Sequence, residues 1–285
     1  MMFFTIMITT KNRSNVLQRT LQVIRELSPC PLEVLITADG CTDDTLNVVR
    51  SVLPDANLIV NDKGLGSVVS RDRMIRKAKG ELVLALDDDS YPEQSDCLRL
   101  LRDLFENNPK LGIATFPQHT DEYPETLLQN RCEKPHLVRS FPCSGACFRV
   151  STYLSLPGFE HMFFHMYEEP DYALQCVAAG WDVLFTPIIS IRHHWSPNGR
   201  NELSNHHFHA RNELWSTLMR CPFPQMLMMI GWRIFAQGLF ATSRGMSWLI
   251  REPLWWWKAI KGIPSALKRR NPVSWAGYKK WLNYQ

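Results

Sequence analysis

Apolar positions in the first 90 residues alternate between short continuous runs and longer stretches with helical spacing. The short runs predict strands at 3–9, 32–37, 57–60 and 82–86. The intervening stretches predict helices at 15–27, 42–53 and 65–79, the second capped by Thr42 or Asp43. Strands that alternate with helices form βαβ units, so the pattern predicts an α/β fold with a mostly parallel sheet flanked by helices.

Polar side chains gather where three of these strands end. Residues 9–13 follow the first strand, 39–43 the second and 87–90 the fourth. Ordinary turns are also rich in Asp and Asn, which would account for any one of these groups. Ligands of parallel sheets bind beyond the carboxyl ends of the strands, so three such groups together predict one shared crevice.

Three adjacent carboxylates, Asp87, Asp88 and Asp89, come directly after the fourth strand. They repel one another unless a cation or solvent offsets their charge. Asp87 and Asp89 are two residues apart, so their side chains leave the strand end on the same side. Since Mg²⁺ takes carboxylate and phosphate oxygens, this position predicts a cation that bridges the protein to a diphosphate.

A second acidic group, Glu168, Glu169 and Asp171, begins a predicted helix that ends at Gly180. Carboxylates at a helix N-terminus are favoured by the helix dipole, so the group could simply cap the helix. A carboxylate beside a metal and a diphosphate could instead act as a general base.

Five histidines, at 193, 194, 206, 207 and 209, follow later in the chain. His193 comes after an apolar strand predicted over 183–191, and either completes a metal site or is a polar strand end. The histidines at 206, 207 and 209 are expected on a loop or helix surface rather than at a metal.

Composition is that of an ordinary globular chain: 285 residues, 45% hydrophobic and 21% charged. This excludes disordered and disulfide-scaffold classes. The net charge of +4 hides an asymmetry, because residues 211–285 hold 12 basic and 2 acidic residues and 8 of the 10 tryptophans. Such a tail favours an anionic partner surface. Eight cysteines without a CxxC pair, and no signal peptide, predict a cytoplasmic location.

Taken in order, the motifs resemble those of inverting family 2 glycosyltransferases of the GT-A fold, of the bacterial polysaccharide type. The stretches that carry the resemblance are 8–13 (ITTKNR), 38–43 (ADGCTD), 66–81, 86–89 (LDDD), 143–146 (CSGA), 168–171 (EEPD), Pro187 with His193, and Arg211 with Asn212. It covers about residues 3–215. Ala38 departs from the family's first acidic residue, and Gln175 replaces a common arginine, which leaves nucleotide preference and acceptor geometry open.

The resemblance implies a role for each matching residue. The implied donor-binding residues are Thr10, Arg13, Asp39, Arg71, Asp87 and Asp88. The implied ligands of Mg²⁺ or Mn²⁺ are Asp89, Asp87 and His193. Glu169 is the implied base, with Glu168 and Asp171 supporting it or binding the acceptor.

The reaction expected from these roles is a single inverting displacement that moves one sugar from a nucleotide-diphospho-sugar to a saccharide or lipid-linked saccharide. The domains expected are a GT-A domain over 1–210, divided at residue 90 into nucleotide-binding and acceptor-binding halves, and a basic, Trp-rich helical tail over 211–285. The absence of a Q-x-x-R-W motif favours single-sugar addition over polymer synthesis.

Three alternatives stay open at this point. A sugar nucleotidyltransferase shares the sheet and the metal, although residues 9–13 lack the glycine-rich loop that such enzymes carry. A non-catalytic nucleotide-sugar-binding module would not need the second acidic group. A nucleic-acid binder would use the basic tail, but the motif series predicts no nucleic-acid partner.

The tail holds no simple membrane-spanning segment, because its longest uncharged apolar run, 221–232, is 12 residues and a span needs about 20. Trp256, Ile260, Ile263 and Leu267 share one face of a predicted helix, with lysines opposite. This pattern is typical of helices that lie on an anionic membrane, here the cytoplasmic face of the inner membrane. Pro264 is expected to interrupt the helix, and packing of the face on the catalytic body is the alternative.

Overall fold

The computed structural model describes residues 2–123, 134–196 and 201–284. The four strands predicted first are all present: β1 (Phe4–Thr10), β2 (Glu33–Asp39), β3 (Asn57–Asn61) and β4 (Leu82–Asp87). The helices between them are α1 (Ser14–Arg25), α2 (Thr45–Val52) and α3 (Ser67–Lys77). α2 begins later than predicted, after Asp44, because the Asp43 carboxylate already accepts from the backbone N–H of Thr45 at 3.2 Å.

Shorter elements follow in the middle of the chain. They are β5 (Ser90–Pro92), α4 (Cys97–Asn107), β6 (Leu111–Thr115), β7 (Gln118–His119), β8 (His136–Leu137), β9 (Ala146–Arg149), α5 (Val150–Ser155), α6 (Glu168–Ala178), β10 (Asp182–Phe185) and β11 (Ile191–His193). The single strand predicted over 183–191 is wrong, since β10 and β11 belong to different sheets. Pro187 lies between them and has no N–H to donate to a ladder.

Two sheets are formed by the described residues. The larger one has the order β3-β2-β1-β4-β9-β6-β10-β8, and the first four of these strands run parallel. β9 is antiparallel to β4 and β6, and β10 runs parallel to β6. The smaller sheet has the order β5-β11-β7. Its strand β5 comes directly after β4 in the chain, so β11, which pairs with β5, ends near the carboxyl end of β4. The predicted mostly parallel α/β sheet is therefore confirmed.

Helices cover both faces of the larger sheet, because alternate strand residues point to opposite faces. Ile6 and Ile8 of β1 pack with Leu17 and Leu21 of α1. Met7, between them, belongs to the cluster of α3 and α6 on the other face. Burial on both faces fixes the register of β1, and with it the position of the residues at its carboxyl end.

The C-terminal part is helical, as predicted: α7 (Glu202–Arg220), α8 (Gln225–Ser243), α9 (Met246–Leu249), α10 (Glu252–Lys268) and α11 (Trp275–Leu282). The domain boundary expected after residue 210 falls inside α7. Within the described residues, no helix is both long enough and apolar enough to cross a membrane.

α10 continues through Pro264, so the predicted interruption of this helix is wrong. Proline removes one backbone hydrogen bond, but contacts with α7 hold the helix in place. Trp255 and Ala259 are buried, and Trp215 Nε1 of α7 donates to the Ala259 carbonyl at 2.9 Å.

Candidate active site

A cavity of about 330 Å³, here the carboxyl-end cavity, lies where β1, β2 and β4 end. The strand register creates it, since Thr9 of β1 is opposite Asp87 of β4. Its lining includes eight residues expected to bind donor or metal: Thr10, Arg13, Asp39, Arg71, Asp87, Asp88, Asp89 and His193. The structure therefore brings the polar strand-end groups together in one crevice.

Asp87, Asp89 and His193 are the residues of this cavity that could hold a metal. One ligand atom from each lies within 4.8 Å of the others. β11 places His193 there by pairing it with Ser90, the residue after Asp89. Two carboxylates and one imidazole fit a divalent cation such as Mg²⁺ or Mn²⁺.

Gln118 orients His193, a contact that no pattern in the sequence predicted. Gln118 Oε1 lies 2.8 Å from His193 Nδ1, so Nδ1 carries a proton and Nε2 is left as the ligand atom. Nε2 lies 3.4 Å from Asp89 Oδ1. Gln118 is itself fixed, since it donates to Ser144 Oγ at 2.8 Å.

Arg13 is the cation that faces the acidic run. Its guanidinium lies 2.7 Å from Asp88 Oδ1 and 2.7 Å from Asp89 Oδ2. Burial acts to raise the pKa of Asp89, but its hydrogen bonds with His193 and Arg13 and the charge of Arg13 lower it to about 2. At Asp88 burial dominates and raises the pKa to about 7. Asp88 also accepts from Thr10 Oγ1 at 2.8 Å, so it ties Arg13 to the end of β1.

Asp39 shapes the wall at the end of β2. Its carboxylate accepts from the backbone N–H groups of Leu65 and Gly66, both at 2.8 Å, and from Asn61 Nδ2 at 2.7 Å. Gly66 has a φ of 92°, a conformation that favours glycine. Asp39 thereby holds the loop that leads into α3, and its contact with a nucleotide base stays a prediction.

Arg71 connects the metal-binding group to the acidic start of α6. Its Nη2 lies 2.5 Å from Asp87 Oδ1, and its Nη1 lies 3.4 Å from Glu168 Oε1. Glu168 is buried, and its Oε2 has no hydrogen-bond partner among the described residues. α3 thus supplies one buried cation to both acidic groups.

Glu169 is half-buried beside this ion pair, and its Oε1 lies 3.5 Å from the backbone nitrogen of Cys143. Burial, and then the neighbouring Glu168 carboxylate, raise the pKa of Glu169, and the Arg71 charge offsets this only in part. A carboxylate with a raised pKa is a stronger proton acceptor than an ordinary one.

None of the three acidic residues of α6 lines the carboxyl-end cavity. Glu168 and Glu169 lie beside Arg71, which does line it, whereas Asp171 does not. It is buried against α7, where Arg220 donates to both of its oxygens at 3.2 Å. Ser216 Oγ and Gln175 Nε2 donate to it at 2.6 and 2.8 Å. These four bonds occupy the carboxylate, so the structure places Asp171 in the packing of α6 on α7.

The turn before α6 has an unusual backbone that α7 holds in place. Phe164, Met166 and Tyr167 have φ values of 64°, 68° and 72°, which non-glycine residues rarely adopt. Asn212 Nδ2 lies 2.8 Å from the His165 and Met166 carbonyl oxygens, and Arg211 Nη2 lies 2.9 Å from that of Phe163. Arg211 and Asn212 were noted in the sequence, but Phe164, which lines the cavity, was not.

A parallel sheet with an acidic site at its carboxyl end is shared by several classes of enzyme, and comparison with known proteins identifies the class here. The sequence model named glycosyl transferase family 2 matches residues 5–173, more than half of the chain. The chain therefore belongs to glycosyl transferase family 2 and is a glycosyltransferase. The resemblance read from the sequence motifs is confirmed.

Solved structures with the same fold share little sequence with this chain. The mannosyltransferase PcManGT from Pyrobaculum calidifontis, in complex with GDP-Man and Mn²⁺, is 17% identical with a TM-score of 0.61, covering 98% of this chain and 85% of its own. S. aureus TarS 1-349 in complex with UDP-GlcNAc is 14% identical with a TM-score of 0.62, covering 93% and 82%.

A third structure is larger than this chain. GalNAc-T7 with UDP, GalNAc and Mn²⁺ is 13% identical with a TM-score of 0.64, covering 78% of this chain. This chain spans about half the length of GalNAc-T7, 48%. No curated protein has a significant match to the sequence. At these identities the structures show the shared fold, and they leave donor and acceptor open.

Proposed function

We propose that this protein moves one sugar from a nucleotide-diphospho-sugar to a saccharide or lipid-linked saccharide acceptor, with inversion at the anomeric carbon. The observation that carries the proposal is the convergence of Asp87, Asp89 and His193 with Arg71 in one cavity. Structures of the same fold contain GDP-Man or UDP-GlcNAc, two donors of this class. Thr10, Asp39 and Arg13 line the same cavity, where they would contact the nucleotide.

A divalent cation, Mg²⁺ or Mn²⁺, held by Asp87, Asp89 and His193 would supply positive charge beside the leaving diphosphate. Arg71 adds a fixed guanidinium at the same place, since it is bonded to Asp87. Arg13 contacts the other oxygen of Asp89 from the one that faces His193, and together with His193 it lowers the pKa of that carboxyl. The cation and Arg71 would thus stabilise the negative charge that develops on the diphosphate as it leaves.

Glu169 is the proposed base. Its raised pKa suits the removal of a proton from an acceptor hydroxyl, and the Arg71–Glu168 ion pair lies beside it. An acceptor oxygen that attacks from the face opposite the diphosphate gives an inverted product in one displacement. Glu168 would then hold Arg71 and raise the pKa of Glu169 rather than take the proton itself.

The C-terminal helices support a peripheral position on an anionic membrane. Of the 22 exposed large apolar side chains in the described residues, 16 lie between Phe223 and Leu267. On α8, Met228, Trp232, Phe235 and Leu239 follow helical spacing and are all exposed. On α10 the predicted face is open at Trp256, Ile260 and Leu267, and Ile263 alone packs inward. Exposed tryptophans in a basic segment suit the headgroup region of a bilayer.

The catalytic proposal is tested by Glu169→Gln, with Glu106→Gln on the exposed side of α4 as the control. We expect the Glu169 variant to bind nucleotide diphosphate with Mn²⁺ as the wild type does, measured by calorimetry. Donor turnover should fall about 10²–10⁴-fold, the usual contribution of a general base. Near-native turnover with intact binding would contradict the assignment of the base.

A further inference from the structure

A second cavity, of about 580 Å³, lies among α7, α8 and α9. We refer to it as the helical cavity. Most of its lining, from Glu202 to Trp248, lies beyond residue 173, where the family match ends. The family match therefore does not cover it, although the solved structures described above align over 93–98% of this chain.

One wall of the helical cavity is polar but carries paired charges. The carboxylate of Glu213 lies 2.7 Å from Arg233 Nη1 and 2.6 Å from Gln237 Nε2. Burial lowers the pKa of His209, which favours its neutral form. Arg233 Nε is buried without a hydrogen-bond partner in the described part of the chain. Buried donors are normally satisfied, so an oxygen of a ligand would complete this wall.

A second part of the lining is aromatic. Phe240 and Trp248 line the cavity, and the Arg244 guanidinium lies 5.3 Å and 5.7 Å from their ring centroids. His206 also packs against both rings, with centroids 5.1 and 5.5 Å away. Phe240 stays 42% exposed, so it offers the open apolar surface to a ring-shaped ligand. Leu239, Met246 and Ile250, close to these rings in the chain, are exposed.

The lining of the helical cavity comes close, along the chain, to the proposed base, Glu169. Met166 lines the helical cavity, whereas Phe164 lines the carboxyl-end cavity. Tyr167, between Met166 and Glu168, lies with its hydroxyl 3.4 Å from Glu213 Oε1. The left-handed turn before α6 thus contributes one residue to each cavity, Phe164 to the carboxyl-end cavity and Met166 to the helical cavity.

We propose that the helical cavity binds a saccharide unit of a lipid-linked acceptor, an inference that rests on the proposed glycosyl transfer. A sugar combines hydroxyl groups, which match Gln237 and the unpaired Arg233 donor, with apolar ring faces, which match the exposed part of Phe240. The pairing of Arg233 with Glu213 disfavours a phosphate at this wall. The lipid part would leave across the exposed side chains of Leu239, Met246 and Ile250.

The test is a methyl NMR titration of the full chain labelled at its methionine methyl groups. The probes are octyl glucoside and octyl galactoside below their micelle concentrations, with octyl phosphocholine as the sugar-free probe of equal chain length. We expect at least one glycoside to shift the Met166 methyl resonance. The resonances of Met7 on β1 and Met74 on α3, both buried, should stay unchanged. Octyl phosphocholine should shift only exposed methionines such as Met246.

Two variants of α8 localise the effect. Ala236→Trp fills the cavity, because Ala236 lines it, and should abolish the Met166 shift. Gly231→Trp adds equal bulk on the same helix, where nothing lies within 4 Å, and should retain it. An unchanged Met166 with both glycosides, an equal shift with octyl phosphocholine, or a shift that survives in Ala236→Trp would overturn the inference.

Separate measurements test the inference about the helical cavity and the proposed function, so the failure of one can be told from the failure of the other. Ala236→Trp should bind nucleotide diphosphate with Mn²⁺ as tightly as the wild type in calorimetry, because Ala236 is outside the carboxyl-end cavity. Loss of the Met166 shift with intact nucleotide binding supports a separate acceptor cavity. Absence of nucleotide binding in the wild type would contradict the proposed function, whatever the glycosides do.

Discussion

Asn212 Nδ2 lies 2.8 Å from the carbonyl oxygen of Met166, two residues before the acidic start of α6. This one side-chain amide also reaches the carbonyls of Phe163 and His165. A helix outside the family match thereby fixes the left-handed turn from which Glu168 and Glu169 project. The position of the proposed base depends on the C-terminal helices as well as on the sheet.

Asn212→Ala should therefore lower turnover more than it lowers donor affinity. The change leaves the carbonyl oxygens of His165 and Met166 without this donor, while Arg211 still donates to that of Phe163. Unpaired buried groups cost about 1–3 kcal/mol each. We expect a fall in kcat with nucleotide binding preserved, measured by donor turnover and calorimetry. The control is Asn47→Ala, an exposed asparagine on α2. A large loss of nucleotide affinity with unchanged kcat would contradict a role in placing the base.

The pH dependence of turnover should report the raised pKa of Glu169. The ionised form is the active one, so activity should rise with pH through a value above that of an ordinary glutamate. Burial and then Glu168 cause the shift, and Glu168→Gln removes the second cause. The rising limb of kcat/KM should then move to lower pH. A limb that stays in place in this variant would show that Glu168 has no influence on the base.

Breaking the Arg220–Asp171 pair should destabilise the protein. Both side chains are almost fully buried, and removing one partner of a buried pair costs about 3–5 kcal/mol. Arg220→Met should lower the urea midpoint of unfolding, whereas Arg99→Met, at an exposed pair on α4, should leave it nearly unchanged. Equal midpoints for the two variants would show that the buried pair adds no stability.

Membrane binding should depend on the exposed side chains of α10. Trp257 is 60% exposed and Ile260 56%, and both are expected to enter the headgroup region. The double variant Trp257→Ser, Ile260→Ser should reduce flotation with anionic vesicles. Leu154→Ser, which removes a 53% exposed side chain from α5, should float as the wild type does. Equal flotation of all three proteins would argue against this surface.

The sequence predicted the fold of the first 90 residues well, because strand and helix periods there are clear and polar residues mark the strand ends. It failed at 183–191, where one apolar run hides two strands in different sheets. His206 was expected at the surface but is buried, 2.7 Å from Glu252 Oε1. That contact joins α7 to α10 over 46 residues, and periodicity along one helix does not reveal it.

The sequence predicted those residues of the candidate site that directly follow a strand. Asp87, Asp89 and His193 were found from their positions after strands. Gln118 was missed, since a two-residue strand leaves no pattern. Asp171 was grouped with Glu168 and Glu169 by spacing, yet successive positions on α6 face different neighbours, and Asp171 faces Arg220.

Metal-dependent binding of the donor is the most direct test of the site. Calorimetry with UDP and with GDP, in the presence and absence of Mn²⁺, should show binding of at least one nucleotide that requires the metal. Asp89→Ala should abolish that dependence, and Asp103→Ala, on exposed α4, should preserve it. Metal-dependent binding that persists unchanged in Asp89→Ala would contradict the assignment of Asp87, Asp89 and His193 as the metal site.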